Sequence, residues 1–335
     1  MSELRRDPIV GRWVIIDTDH PSTPEEFEYE HYIPKGGTCP FCYGNENMTP
    51  PEIEAIRDFN TAPNTSGWQS RVVPNKFPAL QIEGDLDRRG IGIFDMSRGI
   101  GAHEVLIESP YHFKDISDLL NPEIEHVLAL MCRRSQDLKK DMRFKYIMIF
   151  RNFGQAAGAS LEHPHTQIVA LPMVPKSVAE EIKSCHNYFE YRERCVFCDI
   201  IRQEIEDKER VIFENKHFVS FCPYASRFPF ELLIIPKQHR PFFCAMSAEE
   251  ISALADILKA TITKIKKVFS NLSYNYIVHT TPINVDGDGG VEYYHWHIEF
   301  MPKLMRIAGF EWGTGFYMDP TPPERAAEYL RSIHD

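Results

Sequence analysis

The sequence lacks the hydrophobic segments that mark a membrane or secreted protein. No apolar run approaches the roughly 20 residues that a bilayer-spanning helix needs. Residues 1–8 are mostly polar and contain no apolar stretch of the kind found in secretory signals. We therefore expect a cytoplasmic protein without a membrane partner.

Positive charge is scarce in this chain. Its 335 residues hold 37 lysines and arginines against 48 aspartates and glutamates, which gives a net charge of −11. Proteins that bind nucleic acid through its phosphates need a basic surface, so we expect no nucleic-acid partner. A phosphorylated ligand must then be held by local groups or by a pocket that a metal organises. The length allows one large domain or two medium domains.

Cysteine is limited to eight residues, and in a cytoplasmic protein these are more often metal ligands or buried thiols than disulfides. Four of them form two Cys-x-x-Cys pairs, Cys39 with Cys42 and Cys195 with Cys198. A redox role for such a pair requires a thioredoxin-like βαβ context, which neither pair has. Both pairs are expected in loops that precede a sheet.

The two pairs begin a longer pattern that occurs twice. Each half has, in the same order, a Cys-x-x-Cys pair, a glutamate leading an apolar strand to a histidine, an amphipathic helix, a second apolar strand and a His-x-His. Ser247 and Glu250 form a capping box at the second helix. The features lie at 39–42, 104–112, 118–140, 146–150 and 163–165, and again at 195–198, 231–239, 247–268, 274–278 and 295–297.

An internal duplication explains this order. We predict an α+β fold of two similar units, each a mostly antiparallel sheet with a helix packed on one face. The first domain is predicted at 1–172, with the catalytic candidates, and the second at 173–335. A polar, helix-prone stretch at about 172–194 joins them.

The duplication also predicts two metal sites. Zinc favours four thiolate and imidazole ligands in a tetrahedron, and a closed shell of this kind is structural because it leaves no position for substrate. The alternative is a buried thiol and imidazole cluster that has lost its metal. The predicted ligands are Cys39, Cys42, His112 and His163 for the first zinc, and Cys195, Cys198, His239 and His295 for the second.

The segment 158–167 carries the catalytic candidates. Pro164 restricts the backbone between His163 and His165, and in an extended strand residues two apart share a face. If His163 binds zinc, His165 is left free to act as a neutral, oriented nucleophile. A backbone carbonyl is expected to accept the proton on its other nitrogen. The alternative is that His163 and His165 are two surface histidines in a loop without a catalytic role.

These motifs resemble the galactose-1-phosphate uridylyltransferases of the histidine-triad superfamily along nearly the whole chain. The second half also resembles a plant branch that phosphorolyses ADP-glucose. The resemblance implies histidine-triad-like units, a homodimer and a place in galactose and carbohydrate metabolism. It rests on Asp7-Pro8, Arg12-Trp13-Val14, Cys39 to Cys42, the segment 71–80, His103-Glu104-Val105, Asn152, Gly158-Ala159-Ser160, the segment 163–167 and Gly309-Phe310-Glu311.

The resemblance further implies a nucleotidyltransferase with a ping-pong mechanism. His165 attacks the α-phosphorus of a nucleotide sugar, a sugar 1-phosphate leaves, and a second sugar 1-phosphate attacks the nucleotidyl-histidine. UDP-glucose and galactose 1-phosphate are the expected substrates. An ADP-sugar phosphorylase or adenylyltransferase is the alternative, and a non-catalytic nucleotide-binding zinc protein is a third. The implied nucleotide and phosphate ligands are Asn75, Lys76, Asn152, Gly158, Ala159, Ser160 and Gln167.

Three departures from the family pattern concern the substrate. Residues 17–23 contain no arginine where uridylyltransferases carry two, and Lys76 stands where an acidic residue is frequent. Tyr317 replaces a glutamine used for the hexose, and Phe310 and Glu311 are the other candidates for sugar binding. Lys76, Arg71 and Arg151 are candidates for replacing the missing cations.

Overall fold

The computed structural model describes residues 1–287 and 289–333. The strands are β1 Glu3–Arg6, β2 Trp13–Ile16, β3 Glu54–Arg57, β4 Trp68–Pro74, β5 Arg89–Ile91, β6 Phe94–Met96, β7 Ala102–Ile107, β8 Tyr146–Phe153, β9 His165–Leu171, β10 Val211–Glu214, β11 Phe218–Phe221, β12 Leu232–Pro236, β13 Tyr274–His279, β14 His297–Pro302 and β15 Tyr317–Asp319. The helices are α1 Asn121–Leu138, α2 Lys176–Arg192, α3 Val196–Asp207, α4 Ala248–Val268, α5 Gly309–Thr314 and α6 Pro323–Ser332.

Ten of these strands form one antiparallel sheet in the order β10-β11-β12-β14-β13-β8-β9-β7-β4-β3. The first half-sheet comprises β3, β4, β7, β9 and β8, and the second comprises β10, β11, β12, β14 and β13. The halves join where β8 pairs with β13, with Asn152 opposite Asn275. The predicted duplication of an antiparallel sheet and helix is therefore confirmed.

One face of this sheet is covered by the long helices α1 and α4. Ser247 accepts a hydrogen bond from the Glu250 backbone N–H at 3.2 Å, so the predicted capping box starts α4. Apolar side chains at helical spacing on both helices pack against the sheet in a single core that includes Val127, Leu258 and Ile298. The burial of this apolar surface stabilises both halves together.

The opposite face differs between the halves. Over β11 and β12 it is covered by α2 and α3, whose Cys185 and Phe197 pack into a second core with Phe221. In the first half, alternate residues of β8 and β9 on this face stay partly exposed. The predicted helical connection is thus α2, which packs on the second half. Among the described residues, no helix is both long and apolar enough to cross a membrane.

Candidate active site and metal centres

His165 begins β9 and lies on the sheet face opposite α1 and α4. Its Nδ1 donates a hydrogen bond to the His163 carbonyl oxygen at 2.8 Å, as the sequence predicts. The side chain is buried, and burial lowers its pKa, so the ring is neutral at physiological pH. A neutral ring that donates through Nδ1 keeps the lone pair on Nε2, which is the arrangement a nucleophile requires.

A glycine-containing turn connects β8 to β9 and precedes this histidine in the chain. Gly154 adopts a φ of +81°, and a Cβ there would lie 2.1 Å from the Ser273 hydroxyl oxygen, so no larger residue fits. Gly158 also has a positive φ, and a Cβ there would lie 3.8 Å from the Asn152 amide nitrogen. Ala159 and the exposed Ser160 line a cleft of about 440 Å³ beside the turn.

Three carboxamide side chains belong to the same open face. Gln167 is paired with Phe150 across β8 and β9, and residues two apart on a strand share a face. Asn152 and His165 therefore lie on the face of Gln167. Asn75 follows β4, and its amide nitrogen lies 3.0 Å from His103, which also contacts Gln167. The structure thus brings these three predicted ligands together with the histidine.

The first predicted metal set is assembled beside this site. All four ligand atoms of Cys39, Cys42, His112 and His163 lie within 4.8 Å of one another. His163 donates through Nε2 to the Ser109 carbonyl oxygen at 2.7 Å, and burial lowers its pKa to about 4. Its Nδ1 is therefore unprotonated where it faces the two sulfurs. Soft thiol and imidazole donors in this number fit zinc.

The second set repeats this geometry in the second half. Cys195, Cys198, His239 and His295 also place their ligand atoms within 4.8 Å. His239 Nε2 donates to the Val291 carbonyl oxygen at 2.8 Å, and a hydrogen bond from Cys195 lowers the pKa of Cys198. The expectation of a loop was wrong here, because Cys195 caps α3 and Cys198 lies in its first turn. Helix N-termini favour thiolates.

A third cluster was missed by sequence reasoning. Glu181, His279 and His297 place their ligand atoms within 4.8 Å of one another, and all three line a cavity of about 660 Å³ under α2 and α3. These residues can hold a metal ion. His297 was visible as the counterpart of His165, but Glu181 on α2 has no sequence signal because only tertiary packing brings it to the sheet.

The candidate sugar ligands lie elsewhere in the chain. Glu311 caps α5 by accepting from the Ala308 N–H at 3.0 Å, and with Tyr317 it lines a small cleft in the second half. Phe310 is on the same short helix. The cleft shares none of its described lining residues with the cleft at Ser160.

Two of the candidate cations are engaged in other ion pairs. Arg151 is fully buried on the α1 side of the sheet, where its Nε lies 2.7 Å from Glu108. Arg71 is buried against Glu52 at 3.1 Å. Lys76 is exposed next to Asn75. The open face consequently offers mainly neutral donors.

Comparison with known proteins identifies the family of the chain. The family description "Galactose-1-phosphate uridyl transferase, N-terminal domain" matches residues 1–175, and a domain of unknown function matches residues 114–332. An ADP-glucose phosphorylase of Arabidopsis thaliana is 36% identical over 99% of this chain and 93% of that protein. A galactose-1-phosphate uridylyltransferase of Thermotoga maritima is 30% identical over 99% of this chain and 98% of that protein.

Solved structures agree in fold. The Arabidopsis ADP-glucose phosphorylase with bound ADP-glucose superposes with a TM-score of 0.84 at 34% identity, covering both chains fully. A uridylyltransferase structure gives a TM-score of 0.76 at 27% identity, covering 99% of this chain and 98% of that chain. These likenesses confirm the predicted histidine-triad-like units. The chain belongs to the galactose-1-phosphate uridylyltransferase family, whose members are nucleotidyltransferases and phosphorylases.

Proposed function

We propose that the protein transfers a nucleotidyl group through His165. The imidazole Nε2 attacks the α-phosphorus of a nucleotide sugar, the bond to the sugar 1-phosphate breaks, and that group leaves with the bonding electrons. The acceptor's oxygen then attacks the same phosphorus and frees the imidazole. The observation that carries the proposal is the hydrogen bond from Nδ1 to the His163 carbonyl oxygen, because it presents Nε2 unprotonated.

The proposed nucleotide and phosphate ligands lie on the strand face of His165 and in the turn that precedes it. Gln167 and Ser160 stabilise charge on the non-bridging oxygens, and Asn75 and Asn152 lie toward the nucleoside. Gly158 and Ala159 allow close approach of the backbone. Lys76, which is exposed and follows Asn75 in the sequence, supplies a positive charge. In a site of neutral donors, fixed dipoles provide the stabilisation of the phosphoryl group.

Among nucleotide sugars, we propose an ADP-sugar as donor and orthophosphate as acceptor, which makes the protein an ADP-sugar phosphorylase. The support is the 36% identity to the Arabidopsis ADP-glucose phosphorylase and the likeness to its ADP-glucose complex. Residues 17–23 contain no arginine, which departs from the uridylyltransferase pattern and so favours the ADP-sugar candidate.

Transfer between UDP-glucose and galactose 1-phosphate is the second candidate. It is favoured by 30% identity to the Thermotoga uridylyltransferase over almost the whole of both chains. The chemistry at His165 is the same in both candidates. Only the base and the acceptor differ.

We further propose that both Cys₂His₂ sets hold structural zinc and that the protein is a cytoplasmic homodimer. All eight cysteines are free thiols, which suits a reducing compartment. Phe310, Glu311 and Tyr317 are the proposed sugar contacts. Metal analysis and sedimentation test these two points.

A labelling experiment separates the candidates. The protein is incubated with ADP-glucose or UDP-glucose labelled in the α-phosphate, and the adduct is then chased with orthophosphate or galactose 1-phosphate. We expect a base-stable, acid-labile adduct from ADP-glucose, discharged by orthophosphate. Labelling by UDP-glucose with discharge by galactose 1-phosphate would favour the second candidate. No adduct from either donor would contradict the transferase proposal.

A further inference from the structure

The three carboxamides of the open face share an orientation that shape alone does not dictate. A carboxamide turned by 180° keeps its shape but exchanges its donor and acceptor, so neighbouring groups must set its polarity. Here each amide oxygen already has a donor. The Asn75 oxygen accepts from the Phe77 N–H at 2.9 Å, the Asn152 oxygen from Asn275 at 2.8 Å, and the Gln167 oxygen lies 2.8 Å from His103 Nε2.

The protonation of His103 follows from its other nitrogen. The Ala79 backbone N–H donates to Nδ1 at 3.2 Å, so Nδ1 carries no proton. A neutral imidazole then carries its proton on Nε2. That proton is donated to the Gln167 oxygen, and the short approach of the Asn75 nitrogen to Nε2 is a contact between two donors. His103 therefore leaves the NH₂ group of Gln167 turned away from itself.

Asn275 has the same effect on Asn152 from the other half of the sheet. Its amide nitrogen donates both to the Asn152 oxygen at 2.8 Å and to the Ala157 carbonyl oxygen at 2.9 Å. Two acceptors at once fix the orientation of Asn275, and this fixes Asn152 in turn. The Asn152 NH₂ group then lies beside Gly158, in the turn that leads to Ser160.

We propose that His103 and Asn275 are positioning residues that make Gln167 an obligatory hydrogen-bond donor toward the α-phosphate and Asn152 an obligatory donor toward the nucleoside end of the nucleotide. This inference rests on the proposed nucleotidyl transfer and adds how a phosphate is bound without a nearby arginine. An anion requires donors on every side, and one inverted amide would present an oxygen to it. The two positioning residues exclude that inversion.

The test compares His103→Leu with His103→Gln, whose amide nitrogen reaches the position of Nε2 and restores a donor. AMP binding is measured by calorimetry, and transfer is measured with the two diastereomers of the donor that carry one α-sulfur in place of a non-bridging oxygen. We expect His103→Leu to weaken AMP binding by about tenfold or more, the loss typical of a hydrogen bond to a charged group. We also expect it to reduce the preference for one diastereomer as much as Gln167→Met does.

The expected pattern is specific to positioning. His103→Gln should recover most of the AMP affinity and the preference between diastereomers, and His103→Leu combined with Gln167→Met should be no worse than either alone. Asn275→Leu should weaken AMP binding in the same way. His186→Leu, at a partly exposed histidine on α2, is the control and should match the parent chain. Zinc content and melting temperature identify any variant that fails to fold.

Two results would overturn the inference. One is a folded His103→Leu protein that binds AMP and selects diastereomers like the parent. The other is an ¹⁵N spectrum of the parent chain that places the His103 proton on Nδ1. If no donor labels the parent but His103→Leu still weakens AMP binding, the donor arrangement stands and the proposed transfer fails.

Discussion

The two halves of the sheet place corresponding histidines in opposite surroundings. In the first half His165 has Gln167 two residues later, on a face that stays open. In the second half His297 has Glu299 two residues later, and His279 stacks on its ring at 4.6 Å. Glu299 is paired with His279 at 3.4 Å and with Arg227. Neutral amides thus surround one histidine, and ionised groups beneath α2 and α3 surround the other.

The comparison separates what the repeated His-x-His strand provides from what the surrounding residues in each half provide. His297 donates through Nδ1 to the His295 carbonyl oxygen at 3.1 Å, just as His165 does to that of His163. Burial lowers the pKa of both rings. The His-x-His strand therefore orients an imidazole in either half. In the second half, a phosphate that approached His297 would meet the carboxylates of Glu181 and Glu299.

The largest effect is expected from removing each histidine in turn. His165→Ala should abolish the adduct and lower transfer by at least about a thousandfold, as loss of a nucleophile does. His297→Ala should keep the adduct but lower the melting temperature, because it leaves a cavity at a buried site. Acid-quench labelling and calorimetry measure the two effects. Loss of the adduct in a folded His297→Ala protein would erase the distinction between the halves.

Substitutions at Gln167 and Glu299, each two residues after its histidine, test the difference between the halves further. Gln167→Glu replaces a donor with a negative charge next to the α-phosphate, and we expect transfer to fall by about a hundredfold or more. Glu299→Gln should leave transfer within a few-fold, since Arg227 retains Glu231 at 2.7 Å. Steady-state rates with the labelling donor provide the measurement. Equal losses in both variants would contradict the assignment of phosphate binding to one half.

Removing one imidazole from each metal set tests whether the sets are equivalent as ligands. His163→Ala and His295→Ala should each lose one of two zinc equivalents by elemental analysis. His163→Ala should also weaken adduct formation, because the metal would hold the backbone that orients His165. His295→Ala should retain the adduct. The proposed division of roles fails if both variants keep two metals.

The face of the sheet beneath β8 and β9 offers a further difference. Arg151 is paired with Thr166 across the strands, where the second half has Val278 opposite Ile298. Arg151→Met leaves Glu108 buried without its cation and Asp115 with Lys266 alone, so we expect a loss of about 3–5 kcal/mol in the free energy of unfolding. Val278→Ala should cost less. Denaturant unfolding curves give both values.

The smallest expected effect is on the pH dependence of the free energy of unfolding, through the carboxyl group of Asp115. Burial raises the pKa of Asp115, but the charges of Arg151 and Lys266 outweigh it and hold that pKa below its usual range. The folded pKa is thus below the unfolded value of about 3.9, so its contribution is present above about pH 4 and is lost as the pH falls through the folded pKa. Unfolding curves of Asp115→Asn and the parent should therefore converge below about pH 4. A constant difference down to pH 3 would contradict this account.

Local signals predicted much of the structure. The repeated order of motifs predicted the two sheet-and-helix units and the two sets of four metal ligands. Periodicity placed α1 and α4 within three residues of their observed ends. These features depend on residues close in sequence or on a pattern that occurs twice.

Contacts without a local pattern were not predicted. His103 and Gln167 are 64 residues apart, and Asn275 and Asn152 are 123 apart. Glu181 reaches the sheet only because α2 folds back over the second half. The ion pair of Arg151 also depended on which face of the sheet its side chain occupies, and that of Arg71 depended on its contact with Glu52. Only a three-dimensional arrangement reveals these relationships.

The pairing of β8 with β13 makes the halves resemble two subunits joined by a tether. Each would end in an unpaired edge strand if separated, and such edges promote association with other chains. A linker that includes α2 keeps the partner edge at an effective concentration that can reach millimolar. Because Asn275 crosses this junction to Asn152, separating the halves would also remove the contact that orients the Asn152 amide. Cutting the chain after Arg192 would turn a property of one molecule into one that depends on protein concentration.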